Sequence, residues 1–135
     1  MVNNKITPKV SHLFLKTSHG SPMEPVDNVN VIAGEGLSND ISRGRRLRQI
    51  LIIDSHILDE FDLEPGILRE NITVEGISIS NTTPGTIIYL GDVQLEVALD
   101  CAPCELLEEI KPGLKNAMIG KRGMLCKALT SGTIT

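Results

Sequence analysis

Apolar residues fall along this chain in short alternating or continuous runs, separated by turns rich in glycine and proline. Between Lys9 and Lys16, Val10-Ser11-His12-Leu13-Phe14-Leu15 reads as a strand, and the turn-forming His19-Gly20-Ser21-Pro22 follows it. Val26 to Ala33 predicts a second strand, with Val29, Val31 and Ala33 on one side, broken by Gly34-Glu35-Gly36-Leu37-Ser38-Asn39-Asp40. Gln49-Ile50-Leu51-Ile52-Ile53 is continuously apolar after its first residue, the pattern of a strand buried on both faces. Asp54 or Ser55 is placed to cap a helix that carries Ile57, Leu58 and Phe61 on one face and ends before Pro65-Gly66.

In the second half, Ile72 and Val74 point inward from a strand if the alternation holds. Arg69, Glu70 and Asn71 form a polar set where that strand begins. Thr86 to Leu90, the turn Gly91-Asp92 and Val93 to Leu99 predict a hairpin, with Val93, Leu95 and Val97 alternating against Gln94 and Glu96. A helix beginning near Pro103 presents Leu106, Leu107 and Ile110, and Pro112-Gly113 separates it from a second short helix around Leu114 to Ile119. Gly120-Lys121-Arg122-Gly123 then introduces a last strand, Met124 to Thr130. Many short strands with two or three small helices predict a mainly β, α+β fold: a barrel-like antiparallel sheet with helical inserts. No βαβ pattern is evident.

Length changes this picture little: 135 residues suffice for a single domain over 1–135 with one core. Composition narrows the function classes. Aromatics make up 2% with no Trp, and the net charge is −4, so neither stacking platforms nor a basic surface for nucleic acid is expected. No run is long enough to span a bilayer, and Met1-Val2-Asn3-Asn4-Lys5 lacks the apolar segment of a signal peptide. Three cysteines fit a reduced compartment better than a disulfide framework, so a cytoplasmic location is expected.

The chemistry concentrates in Asp100-Cys101-Ala102-Pro103-Cys104. A helix starting at Pro103 would put Cys104 among unpaired amides that favour a thiolate, which makes it the first candidate for a reactive sulfur. The alternative is a small buried apolar residue, and Glu105, Glu108 and Glu109 oppose a neighbouring thiolate. A structural zinc site needs about four ligands, and there is no second cysteine pair. A thioredoxin-like redox pair is expected beside a βαβ unit. Cys126, in a strand, reads as core. Arg43-Gly44-Arg45-Arg46-Leu47-Arg48 places four arginines in six residues of an acidic chain. Such a run is either a solvated surface or an anion site, since the guanidinium fork can donate two parallel hydrogen bonds.

Several motifs in order resemble the molybdenum cofactor sulfurase C-terminal (MOSC) domain family, most strongly over residues 22–132. Gly36-Leu37-Ser38-Asn39-Asp40 is similar to the family's Gly-Leu-x-Gly-Asp turn, with Asn39 in place of the second glycine, and Arg48-Gln49-Ile50-Leu51 to its Arg-Gln-apolar strand. The segment Gly66 to Gly76 resembles the family's most recognisable stretch. Pro103-Cys104 matches its Pro-Cys, and Gly120-Lys121-Arg122-Gly123 its late glycine-basic turn.

The resemblance implies a β-barrel of the pyruvate-kinase barrel-like type. It implies that Cys104 carries persulfide sulfur or ligates molybdenum, and that Arg69, Glu70 and Asn71, with Asp40 and Arg122 from the matching turns, form the cofactor site. The anionic phosphate of molybdopterin gives Arg45, Arg46 and Arg48 a partner. The implied partners are a pyridoxal-phosphate cysteine desulfurase and a molybdenum enzyme or electron-transfer protein. Two alternatives stand beside sulfur handling: a molybdenum-dependent reductase of N-hydroxylated compounds, and a non-catalytic ligand-binding barrel. Because the chain stops soon after Ser131-Gly132, a short final strand is expected.

Overall fold

The computed structural model describes residues 5–135; Met1 to Asn4, part of the stretch read as lacking a signal peptide, lie outside the described residues. The elements run β1 (Lys5–Ile6), β2 (Lys9–Leu15), β3 (Glu24–Pro25), β4 (Val29–Ile32), β5 (Gly36–Leu37), β6 (Ile50–Asp54) and α1 (Ser55–Glu60). There follow β7 (Ile72–Glu75), β8 (Ile87–Leu90), β9 (Val93–Asp100), α2 (Glu105–Ile110), α3 (Leu114–Ala117), β10 (Met124–Ala128) and β11 (Gly132–Ile134). Eight strands pair in the order β1-β8-β9-β10-β6-β7-β2-β3, and three more in the order β11-β4-β5. Among the described residues no ladder returns from β3 to β1. The pairing therefore gives a mixed α+β fold, mostly sheet with short helices, and does not itself close a barrel.

β6 divides the molecule. All five of its residues are buried, the four apolar ones as a continuous run requires and Asp54 with them. Ile50 and Ile52 face a core shared with Val29, Val31 and Leu37 of the smaller sheet and Ile88, Leu95 and Val97 of the hairpin. Ile53 faces a second cluster, where Ile57, Leu58, Leu107, Leu114 and Met118 pack α1, α2 and α3 against the sheet. Each such side chain contributes about 1.5–3 kcal/mol by leaving water. The two-residue period puts Leu51 on the same face as Ile53, beside the helices, and Leu125 of β10 pairs directly with it.

Several sequence expectations change. The large sheet is mixed, because β6 and β7 run parallel, Ile52 beside Ile72, and so do β1 and β8. The connection from β6 to β7 passes through α1 and the loop to Asn71, which returns the chain to the same end of the sheet. This is a βαβ unit that the sequence pattern did not reveal, because α1 is only six residues long. Asp54 occupies the α1 N-cap position but makes no capping bond. Its buried carboxylate instead accepts hydrogen bonds from the amides of Ile79 at 2.6 Å and Ser80 at 3.1 Å, fastening the 78–80 loop. Finally, α2 starts two residues after Pro103, with Cys104 at its extended N-cap. The predicted second strand keeps Val29 and Val31 inward but ends before Ala33, which is exposed. The last three-residue strand, β11, pairs antiparallel with β4.

Candidate functional site

A cleft of about 230 Å³ opens on the Leu51–Leu125 face of the sheet, beside α2. Both thiols of the Cys-x-x-Cys segment line it, together with Lys16, Arg45, Arg48, Arg69 and Arg122, and no carboxylate does. A second hollow of about 450 Å³ adjoins it and shares Lys16, Ser42, Arg45 and Arg69. Five cations thus converge on one concavity of a protein whose net charge is −4. Such a concentration of one sign in a recess raises the local concentration of anions.

Buried polar bonds fix the walls. Asn71 joins three segments: its side-chain oxygen accepts from the Leu51 amide at 3.0 Å, while its Nδ2 donates to Phe14 O at 3.2 Å and Asp40 Oδ1 at 3.0 Å. Asp40 completes the bracket by accepting from the amides of Lys16, at 2.6 Å, and Ser42, at 3.0 Å. The turn that carries Asp40 passes through Asn39 at φ 69°, the left-handed region that asparagine tolerates. Gln49 donates through Nε2 to Arg45 O and Gly34 O and accepts through Oε1 from the Ala128 amide. It thereby ties the arginine loop to β10. Arg69 sits at φ 62° and donates to Ser21 O at 2.6 Å and Ser18 O at 3.2 Å, so its guanidinium spans the edge of both hollows.

Arg122 is the buried cation of the cleft. It is only 4% exposed, and Nη2 donates to Leu68 O at 2.6 Å, but Nε and Nη1 are buried without an acceptor. Gly123 beside it lies tight against β6: a Cβ there would stand 2.6 Å from Ile52 O, at φ 107°. The crowding acts on neighbouring groups. Burial, then the charge of Arg69, pushes the Lys16 pKa down, with Asp40 opposing. Burial pushes the Cys101 thiol up, while Arg122 and Arg48 pull it back.

The sequence matches the MOSC domain family over residues 43–135, well over half of the chain. The chain belongs to the MOSC domain family. The fold agrees with solved structures at low identity. The YuaD protein of Bacillus subtilis superposes with a TM-score of 0.77 at 19% identity, covering 94% of this chain and 90% of that one. YiiM of Geobacillus stearothermophilus gives 0.72 at 20%, covering 94% of this chain and 70% of that one. YiiM of Escherichia coli gives 0.68 at 20%, covering 94% and 65%. No curated protein matches the sequence. MOSC domains are associated with molybdenum cofactor sulfurase-type function.

Of the candidate site residues singled out in the sequence, Cys104, Arg69, Asn71, Arg45, Arg48 and Arg122 meet at the cleft. Arg46 is exposed and lies outside its wall. Asp40 is buried behind the wall, its oxygens turned to backbone amides and Asn71. Glu70 is fully buried and faces away, accepting from the Gly66 amide at 2.8 Å and the Leu68 amide at 3.1 Å. Burial raises its pKa, against those two bonds and the charge of Arg122. Both carboxylates shape the loops that present the cations. Sequence reasoning did not find Lys16 or Ser42, met Gln49 only as a motif residue beside Arg48, and did not find the inward position of Cys101; the fold brings all four to the cleft. Cys126 is fully buried in the core, and burial raises its thiol pKa strongly. Among the described residues no helix is long and apolar enough to cross a membrane, and no cluster of three potential metal ligands occurs.

Proposed function

We propose that this MOSC domain handles sulfur for molybdenum cofactor chemistry, accepting it as a persulfide on Cys104 at the mouth of a cleft that binds the cofactor's anionic part. The observation that carries this reading is the shared wall: an exposed thiol and five cations, with no carboxylate between them. A sulfur carrier needs its thiol accessible to a partner's persulfide, and Cys104 is the exposed member of the three cysteines. The sulfur donor is a cysteine desulfurase, whose pyridoxal phosphate stays with that partner, and the acceptor is a molybdenum enzyme. Residues 1–135 act as one domain in the cytoplasm, where reduced thiols persist. The barrel of pyruvate-kinase type belongs to the same reading, supported by the core that the two sheets share.

The cleft's chemistry suits molybdopterin. The unpartnered Nε and Nη1 of Arg122 are donors buried beside it, and Arg45, Arg48, Arg69 and Lys16 supply further positive charge for a phosphate. A thiolate from Cys104 is a soft ligand of the kind molybdenum takes. When bound, the cofactor supplies two-electron redox chemistry. The protein's own part is to hold the phosphate on the arginines and to present a sulfur through Cys104. The orphaned donors of Arg122 favour a resident anion, and with it a second reading, a molybdenum-dependent reductase of N-hydroxylated compounds.

Incubation with a cysteine desulfurase and cysteine should add about 32 Da, one sulfur, to the intact chain, with peptide mapping placing it on Cys104. A Cys104→Ser chain that gains the same adduct sinks the carrier reading. Molybdopterin retained through purification, detected as oxidised-pterin fluorescence, favours the reductase. A folded chain whose Cys104 resists alkylation indicates a non-catalytic barrel.

A further inference from the structure

The carrier reading uses one thiol, yet the cleft holds two. Cys101 and Cys104 line the same 230 Å³ space, Cys104 exposed and Cys101 half-buried. Their backbones are fixed at both ends: the Cys101 amide donates to Gly123 O at 2.9 Å, and Cys104 O accepts from the Leu107 amide at 3.0 Å in the first turn of α2. Residues 101–104 between β9 and α2 form no regular element. Three residues reach at most about 10 Å when extended, and a disulfide needs Cα atoms about 4.4–6.8 Å apart, so closing the pair requires only a change in the backbone of the intervening Ala102 and Pro103. Cys126 cannot compete, being fully buried on the opposite face of β10 from Leu125.

We propose that Cys101 is the resolving thiol of this site, discharging the sulfur that Cys104 carries; the proposal rests on the carrier reading. The Cys101 thiolate attacks Sγ of the Cys104 persulfide. A bond forms between the two cysteine sulfurs, and the bond from Cys104 Sγ to the outer sulfur breaks. The outer sulfur leaves with that electron pair as hydrosulfide, reduced by two electrons while the two thiols are oxidised to a disulfide. The proton of Cys101 passes to solvent. A dithiol reductant of the thioredoxin class then returns both cysteines to thiols. Arg48 and Arg122 flank the cleft and favour both the anionic nucleophile and the anionic leaving group. The difference in exposure assigns the roles. The outer thiol meets the donor, and the inner one is shielded from being loaded in its place.

The test uses the full reduced chain loaded with inorganic polysulfide, with excess removed. Wild type should show an adduct of about 32 Da on Cys104, then release hydrosulfide without added reductant and finish about 2 Da lighter than the reduced chain, with Cys101 joined to Cys104. Cys101→Ser should keep the adduct and release hydrosulfide only when an external dithiol is added. Release from Cys101→Ser at the wild-type rate, or wild type finishing with both cysteines alkylatable, overturns the proposal and leaves the carrier reading standing. Failure of wild type and Cys101→Ser alike to take any adduct on Cys104 overturns both. The wild-type disulfide map does not depend on the variant folding.

Discussion

Replacing Arg122 by methionine removes a guanidinium and keeps an unbranched side chain of similar reach. Nε and Nη1 are buried donors without acceptors, and each such group costs roughly 1–3 kcal/mol, about 4 kcal/mol together at mid-range. Against this, the charge-assisted bond from Nη2 to Leu68 O contributes about 2 kcal/mol, and Leu68 O loses that donor at a cost of roughly 1 kcal/mol. The balance favours Arg122→Met by about 1 kcal/mol in phosphate-free buffer, a rise in Tm of about 3–4 °C for a chain of this size. Anion binding reverses the order. Inorganic phosphate at ten times its Kd stabilises the wild type by about 1.4 kcal/mol and leaves the variant unchanged. Urea denaturation at several phosphate concentrations reads both effects. A variant destabilised by more than about 2 kcal/mol, with a wild type indifferent to phosphate, refutes the view that Arg122 is held unpaired for a ligand.

Three further outcomes follow from neighbouring features. Gly123→Ala forces a Cβ to 2.6 Å from Ile52 O at φ 107°, and should destabilise the fold by about 2–5 kcal/mol in the same urea assay. An unchanged midpoint would mean that β6 and β10 separate freely at that point. Burial raises the Glu70 carboxyl pKa in the folded protein, so the folded state takes up a proton that the unfolded chain does not while pH falls from the raised value toward 4.5. Wild type should therefore gain stability relative to Glu70→Gln across that window as pH falls; parallel pH profiles would contradict this. With iodoacetamide, Cys104 should be modified first, Cys101 more slowly, and Cys126 only on unfolding, as peptide mapping over time will show.

The sequence revealed those elements whose hydrophobic period is long enough to read. Four buried isoleucines and leucines after Gln49, and strict alternation from Val93 to Val97, identify β6 and β9 with little ambiguity. Strands of two or three residues, such as β3, β5 and β11, have no period to detect and exist through their partners. The same limit hid the parallel pairing of β6 with β7, since direction is set by where the intervening loop packs. Asp54 shows how tertiary bonds override local ones. The residue type and position were right for a cap, but the amides of Ile79 and Ser80 took its carboxylate.

At the site, motif residues were visible and their division of labour was not. Glu70 and Asp40 stand beside true cleft residues in the sequence, yet their side chains turn to backbone amides. Lys16 carries no motif and Cys101 only the Cys-x-x-Cys spacing, and the ends of β2 and β9 deliver them to the cleft.

The proposed function turns on the sulfur of Cys104 working within the cationic cleft. Intact-mass and peptide-mapping analysis after incubation with a cysteine desulfurase and cysteine measures this directly. The prediction is an added mass of about 32 Da confined to Cys104 and absent from Cys104→Ser. A wild-type chain that shows no adduct at any time of the incubation, or an adduct that persists in Cys104→Ser, contradicts it.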